Sequence, residues 1–100
     1  MLQWRKQFSF DATLKDARAK AKIVIRLDRV ALGNFADCKP LQGGLCELRI
    51  DWGPGYRVYY AMLGKACVLL LGGGDKRKQS ADIERALARL ADYKERARAV

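Results

Sequence analysis

The stretch Glu47–Tyr60, ELRIDWGPGYRVYY, decides the fold of this chain. Apolar residues alternate with polar ones on both sides of Gly53–Gly55, and this period of two is typical of strands that bury one face. Two such runs separated by a glycine-rich turn predict a β-hairpin. The hairpin therefore has one apolar face, which belongs to the core, and one polar face.

A three-residue loop over Gly53–Gly55 sets the register that we expect for this hairpin. The expected pairs on the apolar face are Trp52 with Tyr56, Ile50 with Val58, and Leu48 with Tyr60. On the polar face, Arg57 is expected opposite Asp51, and Arg49 opposite Tyr59. Two permanent cations and a phenol then share one rigid surface, which suits the binding of a phosphate. The alternative is that Arg57 only forms a cross-strand ion pair with Asp51.

Length and composition predict one domain spanning residues 1–100. Twenty Lys and Arg face eleven Asp and Glu, giving a net charge of +9, which attracts nucleic acid, anionic membranes or acidic proteins. We favour nucleic acid. No apolar run is long enough to span a bilayer and no signal peptide is recognised, so a cytoplasmic protein is expected. Without histidine, and with three scattered cysteines, we expect no metal site and no cofactor.

The remaining pattern predicts a small α+β domain in which the helices cover one face of an antiparallel sheet. The Arg49 and Arg57 face is then expected to stay open. The expected elements are a strand within Leu2–Phe10, an amphipathic helix or helical hairpin over Leu14–Leu32, a turn-rich link at Asn34–Gly44, the hairpin, a buried strand Ala66–Leu71 that stops at Gly72, and a helix opening at Ser80. The buried stripes are expected at Ile23, Leu27 and Val30 in the first helix and at Ile83, Leu87, Leu90 and Ala91 in the last.

The glycines before Lys76 suggest a phosphate-binding loop, but the spacing does not fit. A nucleotide-binding loop ends in Gly-Lys-Ser/Thr, whereas here Asp75 precedes the lysine. Lys76, Arg77 and Lys78 are better interpreted as a cationic cluster, or else as a solvated turn. Lys39, Arg77 and Lys78 are the candidate nucleic-acid contacts.

The absence of histidine rules out the commonest acid–base catalysis. RNA cleavage remains possible, because the 2′-hydroxyl of the RNA can act as the nucleophile while cations stabilise the charge on the transition state. Tyr59 and Glu47 are the candidate proton-transfer groups, since both lie on the predicted polar face.

Several segments, taken in order, resemble the HigB-like branch of the RelE/ParE superfamily of toxins from type II toxin–antitoxin modules. They are Arg26–Arg29, Leu32–Phe35, Asp37–Pro40, Glu47–Ile50, Gly53–Tyr59 and Gly73–Lys76, followed by Gln79 and Asp82-Ile83. This resemblance implies a twisted antiparallel sheet with two N-terminal helices and a C-terminal helix, in the order β-α-α-β-β-β-α.

The resemblance also implies an activity. Many RelE-like members cleave mRNA on the ribosome without a metal, and in them the arginine that corresponds to Arg57 contacts the scissile phosphate. Arg49 stands where these relatives have a lysine, and Lys76 where they have an arginine. The implied partners are the ribosome, mRNA and an acidic antitoxin of the helix-turn-helix DNA-binding type. ParE-like members instead inhibit DNA gyrase, and a relative that only binds nucleic acid is the third alternative.

Overall fold

The computed structural model describes residues 17–33, 38–64 and 67–98, together with the backbone of residues 3–6. Within these residues it contains five strands and two α-helices, which confirms the expected α+β class. In chain order they are β1 Gln3–Lys6, α1 Ala17–Ala31, β2 Cys38–Pro40, β3 Leu45–Ile50, β4 Tyr56–Leu63, β5 Cys67–Asp75 and α2 Gln79–Arg98.

The strands form one sheet in the order β1-β5-β4-β3-β2. Strands β2 to β5 are antiparallel neighbours, and β1 adds to the edge parallel to β5. The strand expected within Leu2–Phe10 is confirmed over Gln3–Lys6, and the rest of that range lies outside the described residues. The sequence pattern predicts only a turn-rich link over Asn34–Gly44, whereas the structure forms strand β2 within it. Pro40 is compatible with β2, since an edge strand can lack one backbone donor.

Helix α1 packs on one face of the sheet through its expected stripe. Ile23, Leu27 and Val30 are buried there against apolar side chains of β3, β4 and β5. The helix ends where Gly33, at a φ of 93°, donates its backbone N–H to the Val30 carbonyl at 2.9 Å, which is a conformation that glycine adopts without strain. The part of Leu14–Leu32 that the structure describes is thus one helix; residues 14–16 of the predicted helix lie outside it.

Helix α2 lies on the opposite face, so the prediction that both helices share one face is wrong. Its Ala86 and Leu90 are buried against Leu69 and Leu71 of β5 and against Tyr59. Strand β5 has apolar side chains on both faces of the sheet. Val68 and Leu70 pack on the face that α1 covers, whereas Leu69 and Leu71 lie on the other face and are buried there by α2. Ala91, which was expected in the buried stripe of α2, is exposed.

Strand β5 continues through the glycines to Asp75 instead of stopping at Gly72. Tyr59 pairs with Gly72 and Tyr60 with Leu70, so Leu71 is an extra residue that forms a β-bulge. The Leu71 carbonyl accepts a hydrogen bond of 2.8 Å from Arg89 Nη1 of α2. The bulge is thereby tied to the helix that covers it.

The glycines of β5 let α2 approach the sheet closely. A Cβ at Gly72 would lie 3.4 Å from Ala86 Cβ, and a Cβ at Gly74 would clash with the Asp82 carboxylate. Glycine within a strand often marks such a close approach. The glycine run therefore serves helix packing, which agrees with rejecting a nucleotide-binding loop. No helix in the described part of the chain is long and apolar enough to cross a membrane.

Candidate functional site

The β3–β4 hairpin has a longer loop than the sequence pattern suggested. Ile50 pairs with Tyr56 and Leu48 with Val58, which is a shift of two residues from the predicted register. The Gly55 N–H donates to the Trp52 carbonyl at 3.0 Å and closes a β-turn, so Trp52 leaves the ladder. Because the side-chain period of a strand is two, this shift changes the partners but keeps every residue on its predicted face.

The corrected register places Arg49 directly opposite Arg57. Like charges in this position repel each other and destabilise a sheet. Glu47 compensates, because its Oε1 lies 2.9 Å from Arg49 Nε and 3.8 Å from Arg57 Nε. Glu47 is therefore the counter-ion that lets two arginines occupy one cross-strand pair, and the predicted pairs of Arg57 with Asp51 and Arg49 with Tyr59 are wrong.

Glu47 is held in this position by the first residue of α2. Its side chain is 1% exposed, and its second oxygen, Oε2, accepts a hydrogen bond of 2.7 Å from Gln79 Nε2. A buried carboxylate is costly unless charged or polar donors satisfy it. Arg49 and Gln79 each satisfy one oxygen of Glu47, so the carboxylate is fixed in orientation as well as in charge.

Lys76 joins the two arginines from the end of β5. Its backbone N–H donates to the Gly55 carbonyl at 3.0 Å. A Cβ at Gly55 would lie 3.5 Å from Lys76 Cδ and 3.8 Å from Arg57 Nη1, so these two side chains flank the same glycine. We refer to Arg49, Arg57 and Lys76 as the cationic site.

The three cations differ from the two candidate proton-transfer groups in their access to solvent. The Arg49 side chain is 51% exposed and that of Arg57 is 18% exposed, and Lys76 is also exposed. Tyr59 and Glu47 are both fully buried residues. The structure thus brings all five predicted residues together but presents only the cations to a ligand, and the expectation of a fully open face is wrong.

Tyr59 lies beneath α2, where its hydroxyl faces a negative environment. Burial raises the pKa of Tyr59, and the nearby charges of Glu47 and Asp82 raise it further, while Arg57 acts in the opposite direction. Its hydroxyl oxygen and the Arg57 Nε are buried without a hydrogen bond to the described residues. Tyr59 therefore remains a neutral phenol at physiological pH, and its ring is not available for stacking with a base.

The three predicted nucleic-acid contacts have different surroundings. Lys39 is exposed on β2 and pairs directly with Glu47, so it extends the polar row across the sheet edge. Arg77 is bound to its neighbour Asp75, whose carboxylate accepts from the Arg77 backbone at 2.9 Å and from Arg77 Nη2 at 2.8 Å. These bonds hold the pKa of Asp75 below its usual range. Lys78 is exposed in the short 3-10 helix before α2.

Gln79 and Asp82 contribute to the resemblance described above, but the sequence pattern predicts no role for either of them at the site. Gln79 orients Glu47 through the hydrogen bond described above. The Asp82 carboxylate packs against Gly74 and accepts a hydrogen bond of 2.8 Å from Arg85 Nη2. Gln79 is 32 positions from its partner, so no local pattern connects the two. The glycine run was the available signal, because strand positions without side chains predict that a helix packs closely on that face.

Other reactive groups lie apart from these features. Cys38, Cys46 and Cys67 are half-buried free thiols, as expected of reduced cysteines near the core. Burial, with the nearby Cys38, raises the pKa of the Cys46 thiol, and a raised pKa lowers thiol reactivity. Among the described residues, no group of three or more Cys, Asp and Glu side chains is close enough to hold a metal ion.

Comparison with known proteins identifies one relative over most of the chain. A protein of Haemophilus influenzae, described only as an uncharacterized protein, is 47% identical over 88 residues, which cover 85% of this chain and 89% of the relative. No family model and no solved structure matches. At this identity and coverage, the chain belongs to the same protein family as that Haemophilus influenzae protein.

Proposed function

We propose that this chain is the toxin of a type II toxin–antitoxin module and cleaves mRNA on the ribosome. The observation that carries the proposal is the cationic site, in which Arg49, Arg57 and Lys76 converge at the N-terminal end of α2. The resemblance to the HigB-like branch of the RelE/ParE superfamily supports it, because the arginine that contacts the scissile phosphate in those toxins corresponds to Arg57. A RelE-like fold is part of the same proposal.

In the proposed reaction, the cationic site binds the RNA backbone at the bond to be cut. The 2′-hydroxyl of the RNA gives its proton to solvent water and attacks the adjacent phosphorus. The bond to the 5′-oxygen of the next nucleotide breaks, that oxygen keeps the electron pair and takes a proton from water, and the products are a 2′,3′-cyclic phosphate and a 5′-hydroxyl. Negative charge increases on the phosphate oxygens in the transition state, and fixed guanidinium and ammonium groups stabilise it there. Arg57 has the central role, since it is the least exposed of the three cations.

Glu47 has a positioning role in this proposal. Its contact with Arg57 is on the Nε side of the guanidinium, while Arg57 Nη1 lies on the side of Gly55 and Lys76. A guanidinium that is ion-paired on one edge leaves the donors of its other edge for a ligand. Neither Glu47 nor Tyr59 reaches the surface, so we assign them to the orientation of the cations and not to direct contact with RNA.

The proposed partners follow from the charge of the site and from the resemblance. An acidic antitoxin, of the helix-turn-helix DNA-binding type, would neutralise the toxin by covering the cationic site. The ribosome would present the mRNA, and the module would act in the cytoplasm. The net charge of +9 favours both kinds of partner, because each is anionic.

The proposal is tested with Arg57→Ala, expressed from an inducible promoter without antitoxin. We expect growth arrest to disappear and mRNA cleavage, mapped by primer extension after brief induction, to fall by about a hundredfold or more, the usual cost of removing one group that stabilises transition-state charge. Arg98→Ala is the matched control, since it removes the same charge at the exposed far end of α2. Cleavage by Arg57→Ala at the wild-type level would refute the site.

A gyrase inhibitor is the second candidate, and one observation favours it. The exposed groups of the site are cations, while the candidate proton-transfer groups are buried. The surface can therefore bind an anion, but its described residues present no group that would transfer a proton to or from a ligand. This function predicts DNA breaks and supercoiling defects after induction, with intact mRNA. A chain that only binds nucleic acid predicts no growth arrest.

A further inference from the structure

Lys39 is an exposed cation beside the cationic site. Strand β2 lies at the edge of the sheet, next to β3, and Lys39 pairs there with Glu47. Because side chains alternate along a strand, Arg49, two residues from Glu47, lies on the same face of the sheet as Lys39. Diagonal neighbours of this kind are about 7–8 Å apart, which is close enough for both side chains to contact one polymer.

The carboxylate opposite Lys39 already has its partners. Glu47 Oε1 accepts a hydrogen bond of 2.9 Å from Arg49 Nε, and Oε2 accepts one of 2.7 Å from Gln79 Nε2. No ion pair joins Lys39 to another residue in the described part of the chain. The Lys39 ammonium group can therefore bind an external anion without breaking a contact of the fold.

The cations of this face follow one line across the strands. Lys39 is on β2, Arg49 on β3 and Arg57 on β4, and neighbouring strands are about 4.8 Å apart. All three residues are at least partly exposed, and Lys76 continues the line at the end of β5. A single polynucleotide strand carries its phosphates in one row and can follow such a line.

We propose that Lys39 binds a second phosphate of the RNA strand whose scissile phosphate lies at the cationic site, so that single-stranded RNA crosses the sheet from β2 toward the end of β5. The inference rests on the proposed function and extends it to the form of the substrate and to a contact away from the bond that is cut. This contact is the same before and during the reaction. Such uniform binding lowers KM and leaves kcat unchanged.

The first test measures binding by fluorescence anisotropy with a labelled single-stranded RNA of about 12 nucleotides. Its sugars carry 2′-fluoro groups, which cannot attack the phosphate. Lys39→Ala should weaken binding by about three- to tenfold and reduce the slope of log K against log salt concentration by about 0.7, the value for one phosphate contact to a single strand. Lys39→Arg should keep the wild-type affinity and slope, because it keeps the charge.

Lys94→Ala is the matched control for this substitution. It removes the same charge from an exposed position of α2, about 22 Å along the helix from Gln79, and should bind RNA like the wild type. Lys39→Ala should keep the wild-type melting temperature, since Lys39 is exposed and unpaired with the described residues.

The second test varies the length of the RNA one nucleotide at a time, with affinities measured by competition against the labelled strand. The wild type and Lys39→Ala should bind the shortest members equally, because these reach only the cationic site. Their affinities should diverge once the strand is long enough to place a phosphate at Lys39.

The third test measures cleavage of mRNA on purified ribosomes. Lys39→Ala should raise KM with kcat unchanged, whereas Arg57→Ala should lower kcat. This separates the inference from the proposed function. Absence of cleavage by the wild type, together with RNA binding that depends on Lys39, would refute the proposed function and leave the phosphate contact in place.

The inference is overturned by any of four results. These are no binding of single-stranded RNA by the wild type, wild-type affinity and salt slope in Lys39→Ala, no divergence of the two proteins at any RNA length, and binding of duplex RNA as tight as that of the single strand. A lysine on an edge strand also discourages pairing between sheet edges. If that were the role of Lys39, the alanine variant would self-associate in sedimentation equilibrium while its RNA affinity stayed unchanged, which is the second of these results.

Discussion

The two faces of the sheet are built from the same strands but differ in chemistry. The face under α1 is apolar across the sheet, with Leu48 and Val58 among its buried residues. The face under α2 is apolar where Leu69 packs on Leu90, and charged at the N-terminal end of the helix. One hairpin can therefore contribute to the core on one side and form an anion site on the other. This requires that the covering helix provide a hydrogen-bond donor, here Gln79, for the buried counter-ion Glu47.

The largest effect should come from the apolar face. Replacing Ile23 by alanine removes a side chain that is 1% exposed and should lower the free energy of unfolding by about 2–5 kcal/mol. Ile25→Ala is the matched control, because its side chain is on the same helix but half exposed, and its cost should stay below about 0.5 kcal/mol. Urea denaturation of the two variants measures the difference, and equal losses would contradict the assignment of the two faces of α1.

A smaller loss is expected on the charged face. Glu47→Gln keeps the shape of the side chain but removes the counter-ion of Arg49 and Arg57, so the free energy of unfolding should fall by about 1–3 kcal/mol. Glu84→Gln, an exposed carboxylate in α2, serves as the control.

A second substitution sharpens this result. If repulsion between the two arginines causes the loss, Arg49→Ala should cost less stability in the Glu47→Gln background than in the wild type. A double-mutant cycle measures this coupling. Additive effects would show that Glu47 does not act as the shared counter-ion.

The smallest effect should be that of Tyr59→Phe at neutral pH, within about 1 kcal/mol, because the hydroxyl that it removes makes no hydrogen bond to the described residues. The difference should appear in alkali. The pKa of Tyr59 is raised in the folded protein, so above its ordinary value of about 10 the unfolded chain releases a proton that the folded protein retains.

The contribution of Tyr59 to stability is therefore complete below pH 10 and lost as the pH rises further. Tyr59→Phe should lose stability less steeply than the wild type over this range, as followed by thermal unfolding in a series of alkaline buffers. A wild-type slope in the variant would contradict the raised pKa.

The sequence was sufficient for what depends on local periodicity. The alternation in Glu47–Tyr60 placed Arg49 and Arg57 on one face, and the spacing of Ile23, Leu27 and Val30 identified the buried side of α1. The loop length was missed because the β-turn that Gly55 closes takes Trp52 out of the ladder, and the period of two is the same in both registers.

The other differences concern contacts between distant parts of the chain. The position of α2 depends on packing against Leu69 and Leu71, and the bond from Gln79 to Glu47 depends in turn on that position. A single sequence shows the apolar and polar positions of each element but not which element covers them. The burial of Tyr59 and Glu47 depends on where α2 packs, so the sequence could not predict it. For the same reason it could not predict that neither side chain reaches a ligand.

The bulge at Leu71 has a consequence for how the length of this chain can vary. The bulge shifts by one residue the positions of β5 that point toward α2. As a result, Gly72 and Gly74 face Ala86 and Asp82, where larger side chains would not fit. Deleting or inserting one residue between Leu70 and Asp75 would reverse which side of the strand each position occupies. Relatives that keep this packing should therefore share the length of this segment, while length differences are expected in loops such as Asp51–Gly55.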